Sequence, residues 1–120
     1  MIALTLPYPP SVNTYWRSPN SGKLAGRTLI SKKGREYRQH VAQAINEQGN
    51  PKAAQGRLAV TISVFPPDNR RRDLDNLPKA ILDSLAHADV FEDDSLIDFL
   101  SIRRHTNHPN GKIIVTVTTS

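Results

Sequence analysis

Cysteine is absent from all 120 residues, which removes disulfide staples, thiolate zinc sites and cysteine nucleophiles. Long apolar runs are missing too. No stretch approaches the roughly 18 apolar residues that a membrane helix needs, and the start, Met1 to Pro7, lacks the basic n-region of a secretory signal. The sequence therefore reads as a cytoplasmic protein with no membrane partner. Acidic residues are scarce in the first part of the chain: residues 1–67 hold only Glu36 and Glu47, against nine lysines or arginines. The other nine acids lie between Asp68 and Asp98. Within a net charge of +5, a basic half facing a compact acidic patch suits a polyanion that is held while a cation acts on it. The plain alternative is a basic domain that binds no nucleic acid. At 38% hydrophobic and 22% charged residues, the chain falls outside the compositions of disordered and membrane proteins. Its length is near the modal size of one domain, so residues 1–120 read as a single domain.

Ile2 to Leu6 alternates weakly and stops at Pro7, Pro9 and Pro10, as a short first strand would. Ser11 to Gly26, rich in Ser, Asn, Pro and Gly, reads as a long surface loop. From Ser31, a possible cap, Tyr37, Val41 and Ile45 recur at helical spacing until Gly49-Asn50-Pro51 ends the run. The polar surface of this helix carries Lys32, Lys33, Arg35 and Arg38. Leu58 to Phe65 alternates cleanly and reads as a strand that stops at Pro66-Pro67. A second helix fits after Asp75, with Asn76 as its cap, Pro78 in the first turn and Leu77, Ile81 and Leu85 as its apolar stripe, ending near His87. Leu96 to Arg104 and Lys112 to Thr118 read as strands joined in a hairpin through the Asn110-Gly111 turn signal. The order β, α, β, α, β, β predicts a two-layer α+β domain, one mixed sheet with both helices on one face. The crossover rule makes some neighbouring strands parallel.

Chemistry concentrates in Arg70-Arg71-Arg72-Asp73-Leu74-Asp75-Asn76-Leu77-Pro78-Lys79 and in the acidic pair Asp93-Asp94. On an extended segment Asp73 and Asp75 would point to one side, with Leu74 turned toward the core. Two unit charges 4 Å apart repel by roughly 4 kcal/mol at an effective dielectric of 20, so clustered carboxylates favour a cation. Mg2+ takes oxygen ligands, commonly one or two carboxylates plus substrate phosphate. The second acidic pair reaches the first only if the chain doubles back, since a helix of ten residues spans about 15 Å. The bland counterpart is negative charge stabilising a helix N-terminus, typically 0.3–1 kcal/mol. Lys79 has two readings: a donor to phosphate, or an i, i+4 ion pair with Asp83 worth about 0.3 kcal/mol. Tyr15 and Trp16 either stack on bases or fill a loop. Arg70, Arg71 and Arg72 either contact phosphate or form a solvated run. The four histidines, His40, His87, His105 and His108, lack metal-ligand spacing.

The string from Arg71 to Lys79, followed by Glu92-Asp93-Asp94-Ser95, resembles the RusA family of Holliday-junction endodeoxyribonucleases. Pro7 to Arg17 is similar to that family's N-terminal motif, and Ser31 to Arg38 to the start of its first helix. The resemblance implies a Mg2+-dependent homodimer that nicks opposing strands of four-way junction DNA symmetrically. It implies Asp73, Asp75 and Asp94 as the essential, metal-binding carboxylates and Lys79 as the catalytic lysine, with Asp93 a less critical neighbour. Arg17, Lys32, Lys33, Arg35, Arg70, Arg71 and Arg72 are the candidate DNA-binding residues. Asp89 departs from the pattern, standing where a turn glycine is usual. Asp tolerates the left-handed region better than most residues, so a small stability cost and intact chemistry are expected. Two other readings stay open: a metal nuclease acting on flaps or other branched DNA, and a basic DNA-binding module whose acidic loop only caps a helix.

Overall fold

The structure is a computed structural model and describes residues 1–17 and 29–120; the expectation of a long loop from Ser11 to Gly26 lies outside them from residue 18 onward, and over residues 12–17 it is corrected to a short helix and strand. Within the described residues the elements are β1 (Ile2–Leu6), α1 (Val12–Tyr15), β2 (Trp16–Arg17), β3 (Leu29–Ile30), α2 (Lys32–Glu47), β4 (Leu58–Phe65), α3 (Pro78–His87), β5 (Ile97–Arg104) and β6 (Lys112–Thr119). Two 3-10 turns, Leu74–Asn76 and Asp94–Leu96, bracket α3 in sequence. The main sheet has the order β1-β6-β4-β5, and β2 and β3 form a separate two-residue ribbon.

Alternation decides the layering. Leu58, Val60, Ile62 and Val64 of β4 are buried beside Ile113, Val115 and Val117 of β6 and Leu4 and Leu6 of β1. Tyr37, Val41 and Ile45 of α2 and Ala80, Ile81 and Leu85 of α3 close over them in one core. Each fully buried aliphatic side chain contributes about 1.5–3 kcal/mol of transfer free energy. The α+β reading holds, with one mixed sheet and both long helices on one face.

Both helices end by the same chemistry. At α2, Gly49 N–H donates to Asn46 O and Asn50 N–H to Ile45 O, with Gly49 at φ +95°. At α3, Asp89 N–H donates to Ala86 O and Val90 N–H to Leu85 O, both at 3.0 Å, with Asp89 at φ +63°. This is the double-bonded C-terminal stop that normally uses glycine, and Asp89 occupies it as expected. Ser31 caps α2 by accepting from Gly34 N–H at 3.0 Å. A Cβ on Gly34 would come within 2.4 Å of Tyr15 O, so the glycine lets α1 and β2 lie directly against α2.

Three local expectations are corrected. Asn76 is not the cap of α3: it closes the 3-10 turn Leu74–Asn76, and buried Leu77 holds the cap position without a side-chain bond. Asp75 lies inside that turn, so Asp73 and Asp75 do not share an extended segment. Leu74 does turn inward, against the core. Finally, β5 and β6 do not form a hairpin. β4 lies between them, parallel to β5 and antiparallel to β6. The connection from 105 to 111 crosses the end of β4 and bonds to it through His105 N–H to Val64 O and His108 N–H to Pro66 O. The Asn-Gly signal serves a turn within that connection, where Gly111 N–H donates to His108 O at 2.7 Å. Pro109 and left-handed Asn110, φ +65°, sit at its centre, as a type II turn requires.

Candidate active site

After α3 the chain reverses at Asp89, and buried Val90 and Phe91 anchor the return. Both 3-10 turns pack against α3, and the Leu74–Asn76 turn also meets β5. Asp94 thus returns to the flank of α3, close enough to feel the charges of Lys79 and Asp83. The chain thus doubles back to α3, without gathering Asp73, Asp75 and Asp94 into one cluster.

The neighbouring acids Asp93 and Asp94 have separate roles in the fold. Asp93 caps its own turn, accepting from Ser95 Oγ at 3.0 Å and from Ser95 N–H at 3.4 Å. The hydrogen bond from the Ser95 side chain leads the causes that hold its carboxyl below the usual range. Asp94 is exposed, yet partial desolvation, followed by its hydrogen bond with Asp93 and that neighbour's charge, pushes its carboxyl upward, while Lys79 pulls it down. Desolvation and a like charge both penalise the ionised form, so a cation beside Asp94 would relieve them.

Asp73 and Asp75 are both exposed near the start of α3. Asp73 edges a cleft of about 530 Å³ shared with Tyr8, Pro67, Arg71, Arg72 and Asn76. Apolar walls with a few polar groups are typical of binding clefts. Among the described residues, no three acidic or imidazole side chains converge into a ready-made ion cage. The donor set is nevertheless hard oxygen throughout, as Mg2+ prefers, and that ion is usually bound through one or two carboxylates with substrate phosphate and water.

Lys79 is exposed and its Nζ lies 5.7 Å from the centre of the Trp16 ring, within cation–π range. The ion pair with Asp83 is not formed. Asp83 is taken instead by Arg38 of α2, Nη2 to Oδ2 at 2.8 Å, and by the Tyr15 hydroxyl. Tyr15 is wholly buried, so of its two readings the structure takes the packing one. The half-buried Trp16 leans edge-on against it, ring centres 4.9 Å apart. Arg38, which the sequence placed on the basic face of the helix, turns inward. The Lys79–Asp83 spacing pointed at the right carboxylate, but the packing of α2 on α3 that redirects it is a long-range property.

The basic candidates fall into two groups. Arg17, Lys32, Lys33, Arg35 and Arg71 are exposed and form no ion pair among the described residues. Arg17 pairs opposite Leu29 in the ribbon that runs into α2. Arg72 is held by Asp68 at 2.7 Å, while Arg70 approaches the same carboxylate at 3.7 Å. Arg72 also lies 5.7 Å from the centre of the Tyr8 ring.

A mixed-sheet domain with exposed carboxylates and a lysine about α3, and exposed basic residues on α2 and ahead of α3, has the equipment of a phosphodiester-cleaving protein. The family model "Endodeoxyribonuclease RusA" matches residues 7–118, and the chain belongs to this family. It is 42% identical over 113 residues to the crossover junction endodeoxyribonuclease rusA of Enterobacteria phage HK97, covering 94% of this chain and 90% of that protein. It is 35% identical over 117 residues to the crossover junction endodeoxyribonuclease RusA of Escherichia coli K12, covering 97% and 92%. The protein of the same name from Enterobacteria phage 82 is 36% identical over 116 residues, covering 96% and 92%.

Proposed function

We propose that this protein is a Mg2+-dependent endodeoxyribonuclease that resolves four-way DNA junctions by paired nicks in opposing strands. The observation that carries the reading is the return of Asp94 to the flank of α3, beside Lys79, on the helix whose approach carries Asp73 and Asp75. Asp73, Asp75 and Asp94 are the residues to hold the ion. When bound, Mg2+ would supply a more acidic water and polarise the phosphate. Lys79, carrying its charge beside these carboxylates, stabilises the negative charge that builds on the phosphate oxygens. Arg17, Lys32, Lys33 and Arg35 hold one stretch of backbone, and Arg70, Arg71 and Arg72 hold the strand along the cleft at Asp73.

A homodimer fits both the substrate and the sheet. A two-fold assembly presents two identical sites to a junction with two equivalent scissile phosphates. The outer edge of β1 is occupied at Thr5, where Gln48 accepts from the N–H at 2.9 Å and donates to the carbonyl at 2.8 Å. The outer edge of β5 instead exposes Phe99 and Leu100, at 58% and 43%. Open apolar edges of this kind invite strand pairing. Antiparallel pairing of β5 with a second copy, centred on Ser101, would set Leu100 against Ile102 and Phe99 against Arg103. No described helix is long and apolar enough to cross a membrane, and we place the enzyme in the cytoplasm with its DNA substrate.

Variants test the site. Asp75→Asn and Asp94→Asn should keep the fold and bind junctions at least as tightly as the parent, since a carboxylate that repels phosphate is removed, yet fail to cut. Lys79→Ala should lower the single-turnover rate at saturating Mg2+ by about 10²-fold or more with little change in junction affinity. Near-parental cleavage by either aspartate variant would overturn the metal assignment, and by the lysine variant would remove Lys79 from the mechanism.

A further inference from the structure

Lys79 and Asp83 stand one helical turn apart on α3, a spacing at which lysine and aspartate ordinarily pair. They do not pair because the carboxylate is already occupied. Asp83 Oδ2 accepts from Arg38 Nε at 2.9 Å and Nη2 at 2.8 Å, and from the Tyr15 hydroxyl. Arg38 Nε also reaches the Tyr15 oxygen at 3.1 Å, and Ser84 Oγ, fully buried, lies 3.4 Å from the same oxygen. The group joins α1, α2 and α3, with the Arg38 and Asp83 side chains only 22% and 28% exposed. An arginine fixed by several charge-assisted bonds in a sheltered site outcompetes a mobile surface lysine for the same carboxylate. Lys79 is left over the Trp16 ring, and that ring is braced edge-on by Tyr15 of the same network.

We propose that Arg38 is a positioning residue for Lys79: by neutralising Asp83 from α2 it denies Lys79 the ion pair that helical spacing offers, and so keeps the ammonium at the carboxylate site. This rests on the assignment of Lys79 to the reaction. Arg38 itself touches no reacting atom. Its effect is on the fraction of molecules whose lysine is available, and a rate that depends on a competent state falls in proportion to that fraction.

The test is single-turnover cleavage of labelled four-way junction DNA at saturating Mg2+ and saturating protein, with melting curves alongside, on Arg38→Met, Asp83→Asn, the double variant, Arg38→Lys and Lys79→Ala. Freed of Arg38, Asp83 captures Lys79: an exposed helical pair would slow cutting about two- to threefold, and the sheltered Asp83, left with no other cation, should hold the lysine more strongly, so that Arg38→Met cuts up to about tenfold slower. Asp83→Asn should cut near the parental rate. The double variant should return to within about threefold of the parent, because no carboxylate is left to capture the lysine. Arg38→Lys, which keeps the charge, should stay above Arg38→Met. A purely structural role predicts the opposite for the double variant, which loses both partners and should cut no faster than Arg38→Met. If Arg38→Met does not fold, Arg38→Gln takes its place: slow cutting by Arg38→Gln beside near-parental cutting by the double variant supports the proposal, and parental cutting by a folded Arg38→Gln, or a tenfold loss in a folded double variant or in Asp83→Asn, overturns it. Lys79→Ala separates the two levels. Parental cutting by Lys79→Ala would remove the premise, whereas a slow Lys79→Ala beside an undiminished Arg38→Met would overturn the positioning role alone.

Discussion

Asp89 decides where the second acidic pair falls. Its left-handed backbone, φ +63°, closes α3 and turns the chain back so that Asp94 comes alongside Lys79. Left-handed geometry costs an ordinary L-residue roughly 1–2 kcal/mol, less for Asp, and costs glycine almost nothing. Asp89→Gly should therefore raise stability by up to about 1 kcal/mol, read as a higher denaturant midpoint at unchanged m-value, while cleavage stays at the parental rate. A lower midpoint would show that the Asp89 side chain supports the reversal in some further way. The position was expected from the resemblance to the RusA family, whose pattern puts a turn glycine there; the apolar stripe by itself placed only the end of the helix, near His87. The distinct roles of Asp93 and Asp94 were not legible in the sequence: nothing in the pair Asp93-Asp94 tells which carboxylate will bond to Ser95 and which will be left for chemistry.

Elements with strong period were read directly. The α2 stripe at Tyr37, Val41 and Ile45 and the alternation of β4 need only their own residues to show which face is buried. Pairing failed where it depended on partners far along the chain. The Asn110-Gly111 signal was real, but a turn signal does not say which strands flank it, and β4 had the stronger claim on both β5 and β6. The same limit hid the inward turn of Arg38, whose partner lies 45 residues away. What remains on the outer surface of α2 is Lys32, Lys33 and Arg35. Replacing all three with alanine should weaken binding to every DNA form alike. For each phosphate that is no longer neutralised, the slope of log K against log salt should fall by about 0.9 on duplex arms. An unchanged slope would mean that this surface does not meet the backbone.

At the scale of the whole molecule, the sheet among the described residues has one edge capped at Thr5 and, at β5, one without a partner strand, and the charge has one basic region and one acidic. The open β5 edge can be tested without background because the chain has no cysteine. Ser101→Cys should form an intermolecular disulfide under mild oxidation, with junctions still bound. A cysteine placed on the covered side at Thr5 should not; the reverse pattern would move the dimer surface. The central claim is that the carboxylates around α3 make this basic domain a junction-cutting enzyme and not a passive DNA binder. The measurement that tests it most directly is incubation of the purified protein and its Asp75→Asn variant with end-labelled four-way, flap and linear duplex DNA, with Mg2+ and with the ion chelated. The account predicts paired, symmetric nicks in the four-way junction alone, only with Mg2+ and only by the parent, while the variant still shifts the junction on a gel. Binding without cutting by the parent under every condition, or equal cutting of flap and duplex, would contradict it.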